Sequence, residues 1–381
     1  MTIYFDNNAT TPLKDGVKQA MSEALEVYGN PSSVHACGRA ARLLQDTARR
    51  KVAAMFNVRS EQVIFTSSGT EANNLVLRGF FTNPENAGKK LVISAVEHNC
   101  VHKTAVELNR LQGVPMHMVP VDREGLIDLE DLKTVLSKGN VGLVSIMHAN
   151  NETGVIQPIA EVAKLCENAG VRFHTDAVQT AGKLAYSFAD LGADAITLSF
   201  HKLGGPKGIG AVIIKTDFPL ESHTTGGSQE RNRRAGTENT LSIAGAGACA
   251  EGWQVGVDSM QNHIALLRNQ LEEGLLPLAN DLYIIGKNAP RVPNTTNVVV
   301  PNLIGEDAVI ALDMAGFCVS TGSACSSGRV EPSRVILAHG IPADEALCAL
   351  RISLGWQTTK ADVEGFIAAF AKMLVRMKKA G

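Results

Sequence analysis

A chain of 381 residues exceeds what one simple core accommodates, so two domains are expected. Hydrophobic residues at 45% and charged ones at 19% suit a globular enzyme, and a formal net charge of −2 argues against nucleic acid or an anionic membrane bound by bulk electrostatics. The start, Met1-Thr-Ile-Tyr-Phe-Asp6, lacks a basic n-region and a long apolar h-region, and no apolar stretch is long enough to span a bilayer. A cytoplasmic location and no membrane partner are therefore expected.

From residue 16 to about 258, helical patterns alternate with short β-rich runs. Arg39 to Asn57 carries Leu43, Leu44, Val52, Ala53 and Phe56 at helical spacing and leads into the strand Val63–Thr66. A helix opens at Thr70, and strands follow at Leu91–Ser94, Met116–Val119, Val141–Met147, Val171–His174, Asp194–Ser199 and Ala211–Ile214, with a helix at Ile159–Ala169 between two of them. This alternation predicts an α/β fold on a mostly parallel sheet. After one long helical stretch from Asn239 to about Ala279 the pattern changes: Thr295–Val300 reads as strand, Ala308–Ala315 as helix and Ala361–Lys379 as a closing amphipathic helix. The expected division is a large domain over 16–258 and a smaller α+β domain formed by 1–15 and 259–381.

The seven cysteines (37, 100, 166, 249, 318, 325, 348) are scattered and odd in number, unlike a disulfide framework. There is no C-x-x-C or H-E-x-x-H spacing, so no structural metal site is expected.

Several polar residues fall where strands end. Lys202, in Thr197-Leu-Ser-Phe-His-Lys-Leu-Gly-Gly-Pro206, follows an apolar strand and is flanked by Ser199 and His201. It suits a Schiff-base amine, since burial favours the neutral, nucleophilic form, although an isolated lysine at a strand end is ordinarily just solvated. The turn Ser67-Ser-Gly69-Thr70-Glu-Ala-Asn73 joins a strand to a helix and is either a phosphate cradle or a plain N-cap. Asp176 ends a strand where open α/β sheets bind ligands and could keep a pyridine nitrogen protonated, with Gln179 donating to a phenolic oxygen; a helix-capping role is the alternative. His98, just beyond a strand, could stack on a cofactor ring and shuttle protons, or be an ordinary loop histidine. Asn150-Asn151-Glu-Thr-Gly154 offers an amide to a ligand oxygen or simply supplies turn chemistry.

Cys325 stands apart from Cys166, Cys249 and Cys348 because Ser320-Thr-Gly-Ser-Ala-Cys-Ser-Ser-Gly328 surrounds it with small polar residues rather than an apolar helical setting. Arg351 is a charge inside the apolar strand pattern Ala349–Leu354, and calls for an anionic partner: a substrate carboxylate or a structural ion pair.

Taken in this order, Gly69-Thr70, His98, Asp176, Lys202 and the Cys325 segment resemble the NifS/IscS-type cysteine desulfurases, pyridoxal phosphate (PLP) enzymes of fold type I. The resemblance runs from Tyr4-Phe-Asp-Asn-Asn-Ala-Thr-Thr-Pro12 to Leu350–Gly355 and includes Gly29-Asn-Pro-Ser-Ser-Val-His35, His201-Lys-Leu-Gly-Gly-Pro-Lys-Gly208 and Arg234-Ala-Gly-Thr-Glu-Asn239. Ser-Ala-Cys-Ser-Ser-Gly328 looks like the group with a longer, mobile cysteine loop, here about 320–332, and Arg329-Val-Glu-Pro-Ser-Arg334 leans toward the NifS branch. The resemblance implies that Lys202 anchors PLP and moves protons, and that Gly69, Thr70, Ser199 and His201 bind its phosphate. Thr237 then reaches the phosphate of a neighbouring subunit, hence a homodimer. Asp176 and Gln179 hold the ring, with His98 stacked on it; Asn151 and Arg351 position L-cysteine, and Cys325 is the nucleophile that becomes a persulfide.

An iron–sulfur scaffold of the IscU/NifU kind is the implied acceptor, with no intrinsic metal and Cys325 at most contacting a cluster held with that scaffold. Nitrogenase, general cluster assembly and thiolation remain open as destinations, and an aminotransferase, a β-lyase or a selenocysteine lyase remain open as activities. Ser228, the Trp356-Gln357 pair and Cys100 depart from the usual pattern, and Cys100 puts a second oxidisable thiol near His98.

Overall fold

The computed structural model describes residues 2–321 and 331–380. Strands follow in chain order as β1 (Ile3–Tyr4), β2 (Val63–Thr66), β3 (Lys90–Ser94), β4 (Met116–Val119), β5 (Val141–Ser145), β6 (Arg172–Asp176), β7 (Ala195–Ser199), β8 (Gly210–Ile214), β9 (Tyr283–Ile284), β10 (Thr295–Val299), β11 (Phe317–Cys318) and β12 (Ala349–Ser353). Seven of them form one sheet in the order β2-β8-β7-β6-β5-β3-β4. All its pairings are parallel except those of β8, which runs antiparallel to both β2 and β7. The mostly parallel α/β fold expected from the sequence is the fold observed.

The sheet is apolar along its strands because both of its faces are covered. Val92, Val144, Phe173, Ile196 and Ile213 project into one buried cluster, which the helices Ala36–Met55 and Thr240–Glu251 cover. Their neighbours Leu91, Ile93, Leu143, Ala195, Val212 and Ile214 project into another, covered by the helix Gly69–Thr82. This two-residue alternation is the pleat of the strand written in side chains. The helices Ala36–Met55 and Thr240–Glu251 can approach closely because residue 247 is glycine: a Cβ there would stand 2.7 Å from the Ala48 backbone.

The strand order reverses between β3 and β5, since β4 lies outside β3 while β6 and β7 lie on the other side of β5. Open α/β sheets bind ligands at such a switch point, outside the carboxyl ends of the strands. Residues 95–98, 146–151, 177–179 and 200–202 all leave from that edge.

A separate buried cluster gathers residues from 260 to 374 around the antiparallel sheet β12-β10-β9. Phe5, from the other end of the chain, is inserted into it with no exposed surface. Its ring lies 5.5 Å from that of Phe366 and 6.1 Å from that of Phe317, and Phe366 also meets Phe370 at 6.0 Å. The arm is then bonded along β12, with Ser353 N donating to Phe5 O at 2.7 Å and Asn7 N to Ser353 O at 3.1 Å.

One helical reading needs correction in detail. The stretch expected as a single long helix is divided into Thr240–Glu251, Trp253–Ser259, a π-helical turn Met260–Ile264 and Ala265–Leu275. Gly252 marks the first break, where missing side-chain packing and high backbone entropy favour an interruption. No helix among the described residues is long and apolar enough to cross a membrane.

Phe366 joins the arm to the second core, so Phe366→Ala should cost about 3–5 kcal/mol. The expected result is a lower urea midpoint, accompanied by faster amide exchange at residues 3–7.

Candidate active site

β7 delivers Ser199 to the edge of the sheet, and a single 3₁₀ turn, Phe200–Lys202, carries the chain on. Buried Phe200 anchors that turn. The Lys202 Nζ donates to the carbonyls of Asn8 at 2.5 Å and Ala9 at 2.8 Å. Beside it, Ser68 caps the helix Gly69–Thr82 by accepting from Glu71 N at 3.1 Å. The Gly69 and Thr70 N–H groups lie in the first turn, where no intrahelical acceptor exists, so the cap and an anion cradle coexist in one turn. Two glycines permit the tight fit around it. A Cβ on Gly210 would lie 2.5 Å from the Ser68 carbonyl carbon, and one on Gly69 would lie 3.1 Å from the Ser199 and Val178 side chains.

Asp176, at the end of β6, is buried and doubly held: Oδ1 accepts from Val178 N at 2.9 Å and Oδ2 from Asn73 Nδ2 at 2.7 Å. The first bond closes a local turn, since no helix begins after β6 until Phe188, and the second ties the carboxylate to the helix of the anion cradle. Asn73 also donates to Cys100 Sγ at 3.1 Å, and that sulfur stands 2.9 Å from His98 Nδ1.

His98 caps the helix Asn99–Gln112, its Nδ1 accepting from Cys100 N at 3.2 Å. An accepting Nδ1 assigns the ring proton to Nε2. Burial pulls the His98 pKa down; Asp176 opposes that, and Lys202 and Arg334 add to it. Burial, aided by Asp176, pushes the Cys100 thiol up to about 12, which makes it an unreactive donor beside the imidazole. His201 is drawn down to about 4 by burial, with Lys202 and Lys207 contributing, and its Nδ1 meets Thr10 Oγ1 at 3.1 Å.

Gln179 Nε2 donates to Asn8 O at 3.1 Å, while Gln179 Oε1 accepts from the buried Lys183 Nζ at 2.9 Å. Arg351 is buried and pairs with Asp6 through Nη2 at 2.7 Å, and its Nη1 donates to Asn151 O at 3.1 Å. The ion-pair alternative is therefore the arrangement present, and Arg351 Nε has no partner among the described residues. Thr237 is solvent-exposed, near Arg234, which pairs with Glu71 at 2.7 Å. Cys325 lies outside the described residues. Just before that segment, Ser320 is tied to Arg351 by two backbone bonds, of 3.2 and 2.6 Å.

Sequence reasoning did not single out Asn8, Asn73 or Lys183 for these contacts. The Asn8 side chain accepts from Lys183 Nζ at 2.8 Å and donates to Thr295 Oγ1 at 2.8 Å and Asn151 O at 3.1 Å. The available signal was the polar run Asp6-Asn-Asn-Ala-Thr-Thr11, too polar for a core strand yet ahead of any loop that needs it.

Glu97, next to His98, has no exposed surface. Its Oε1 accepts from Ser94 Oγ at 2.5 Å and Met147 N at 2.8 Å, and its Oε2 has no partner among the described residues. Burial raises its pKa to about 8 against the lowering effect of those two bonds.

Known proteins resemble this chain over nearly its whole length. The family model for class-V aminotransferases matches residues 3–366. "Cysteine desulfurase IscS" of Dictyoglomus turgidum is 40% identical over 377 residues, covering 99% of this chain and 95% of that protein. A cysteine desulfurase of Cereibacter sphaeroides is 39% identical, with coverages of 99% and 96%. The solved structure of a NifS-like protein superposes with a TM-score of 0.91 at 34% identity, over 98% of this chain and 100% of that one.

The buried Glu97 carboxyl has a definite signature in stability. Folded Glu97 keeps its proton to about pH 8, whereas an unfolded glutamate releases it near about 4.3, so the folded state is favoured below that pH and loses the advantage as pH rises toward 8. Glu97→Gln removes the titration while keeping an acceptor for Ser94 and Met147. Its unfolding free energy relative to the parent should rise between pH 5 and 8 and then level off, as read from urea midpoints.

Proposed function

The chain belongs to the class-V aminotransferase family, and from that premise we propose that it is a PLP-dependent cysteine desulfurase that converts L-cysteine to L-alanine and leaves the sulfur as a persulfide on Cys325. One observation carries the reading: an amine, a carboxylate and an imidazole from Lys202, Asp176 and His98 converge beyond the ends of β7, β6 and β3, beside a helix N-terminus.

This donor set fits PLP. Lys202 would bind its aldehyde carbon, and the Gly69 and Thr70 N–H groups with Ser199 and His201 would hold its phosphate. Asp176 would face the ring nitrogen, Gln179 the phenolic oxygen and His98 the ring. Bound there, PLP supplies an electron sink for the bonds at the substrate α-carbon. A neutral His201 suits a hydrogen-bonding role, and an Asp176 carboxylate fixed by Asn73 and Val178 would keep one orientation toward a bound ring.

The chain's own groups account for the rest. Lys202 would accept the substrate α-proton at Nζ and return one. Arg351 grips the substrate carboxylate, assisted by Asn151, in exchange for part of its contact with Asp6. The Cys325 thiolate forms an S–S bond to the substrate sulfur as the Cβ–S bond breaks. That electron pair stays with carbon, which takes up a proton and leaves as alanine.

Incubation with L-cysteine, PLP and a thiol reductant should release alanine and sulfide in equal amounts. Cys325→Ala should lower alanine formation at least 100-fold while keeping the visible absorbance of bound cofactor, and Lys202→Ala should abolish that absorbance. Full turnover by Cys325→Ala would instead indicate a lyase that does not use this thiol.

The proposed assembly is a homodimer in which Thr237 reaches the neighbouring subunit's phosphate. Support comes from its exposure and from a nearby polar cavity of about 350 Å³ lined by Arg49, Ser228, Glu230 and Glu238. Leu25, Tyr28, Val34 and Leu43 add exposed apolar surface. Sedimentation velocity should give twice the monomer mass, and Thr237→Ala should weaken cofactor retention. The two cores support the division near residue 258 into a large and a small domain. The sulfur acceptor is proposed to be an iron–sulfur scaffold of the IscU/NifU kind.

A further inference from the structure

The described chain resumes at residue 331, and its first helix, Arg334–Ala338, is capped by Ser333. Ser333 and Arg334 both reach back to the large sheet. Arg334 Nη1 donates to the Ala95 carbonyl and Nη2 to the Glu97 carbonyl, so one guanidinium straddles the peptide segment that ends at His98. The intervening carbonyl, of Val96, accepts from Asn150 Nδ2 at 2.9 Å. Three consecutive carbonyls ahead of His98 are thus all held by residues from elsewhere in the chain.

Ser333 also holds the Asn150 turn. Ser333 Oγ donates to Glu152 Oε2 at 2.5 Å, and the Glu152 and Thr153 N–H groups donate to Asn150 Oδ1 at 2.8 and 3.0 Å. Glu97 and Glu152, both buried, are the carboxyls that face Arg334, and His98 and His102 are the imidazoles within reach of its charge. A planar fork can bridge two carbonyls at fixed spacing, which a lysine ammonium cannot do.

We propose that Arg334 is a positioning residue for His98: its two-pronged grip on the Ala95 and Glu97 carbonyls sets the pose of the imidazole, so that a residue nine positions beyond Cys325 in the sequence also fixes the group expected to stack on the cofactor. This rests on the reading of His98 given above. Without the grip, the Ala95 and Glu97 carbonyls lose their side-chain donor, the 95–97 segment keeps the Ala95 N–H bond to Val119 O, the Asn150 bond and the Glu97 side-chain bonds, and the imidazole samples orientations unsuited to the reaction.

The test compares Arg334→Gln and Arg334→Lys with the parent holoenzyme. Both variants should keep the cofactor absorbance and a KM for L-cysteine within about threefold of the parent, while kcat falls by roughly 10- to 100-fold. Arg334→Lys should recover little, because it restores charge without the fork. In ¹³C-histidine-labelled protein, the His98 resonance, assigned with His98→Gln, should move in both variants while the other histidines distant from Arg334 stay in place.

Recovery of kcat and of the His98 resonance by Arg334→Lys would overturn the proposal in favour of charge alone. A parent-like kcat with an unmoved His98 resonance would overturn it outright. Should Arg334→Gln fail to fold, Arg334→Lys decides by the same two readings. The resonance reports on the grip even if L-cysteine proves not to be the substrate, so failure of the activity reading stays distinguishable.

Discussion

A buried amide must satisfy its donors and acceptors inside the protein, and at Asn8 that requirement holds the molecule together. Its backbone carbonyl accepts from Lys202 and Gln179, its side-chain oxygen from Lys183 and Asn294, and its Nδ2 donates to Thr295 and Asn151. Its N–H donates to Ser353 Oγ. These partners belong to the cofactor-side turns, to β10 and to β12. Satisfying one residue therefore fixes the relative positions of both cores and of the lysine between them.

The same economy governs charge in the site. His98 and His201 are held neutral, and Cys100 remains a thiol. Glu97 retains its proton at neutral pH. Lys183 lies far below its ordinary pKa because it is buried, with Lys202 and Arg351 adding repulsion. The surroundings of Asp176 and Lys202 are thus made mostly of neutral polar groups, which are less costly to bury than ions and let the few remaining charges act through a medium with little water.

How much of this was legible follows from the range of each interaction. β2 and β4 were readable to the residue and most other strands to within one or two, because apolar runs between helical segments are local signals. That β8 runs against its neighbours was not readable, since direction depends on how the chain returns across the sheet. Lys202, Asp176 and His98 could be singled out because each lies just past a strand, and the helix cradle because capping is local. Asn73 and Lys183 stayed hidden, as the Asn73–Asp176 bond spans 103 residues and the Lys183–Asn8 bond 175. Arg351 was legible only as a charge in need of an anion. The sequence left open a substrate or an acid of the chain itself, and Asp6 occupies that role 345 residues away.

The arm's attachment to β12 also bears on the order of events during synthesis. Asp6, Asn7 and Asn8 are synthesised well before their partners Arg351 and Ser353, which lie some 345 residues further on. Contacts of such sequence separation close only after the intervening chain has folded, and they form late. The large sheet can assemble beforehand, but the carbonyls that meet Lys202 are not locked in place until β12 is made. A nascent chain therefore carries an unfinished lysine site until β12 has been made, and pairing that strand with the arm is what finishes it.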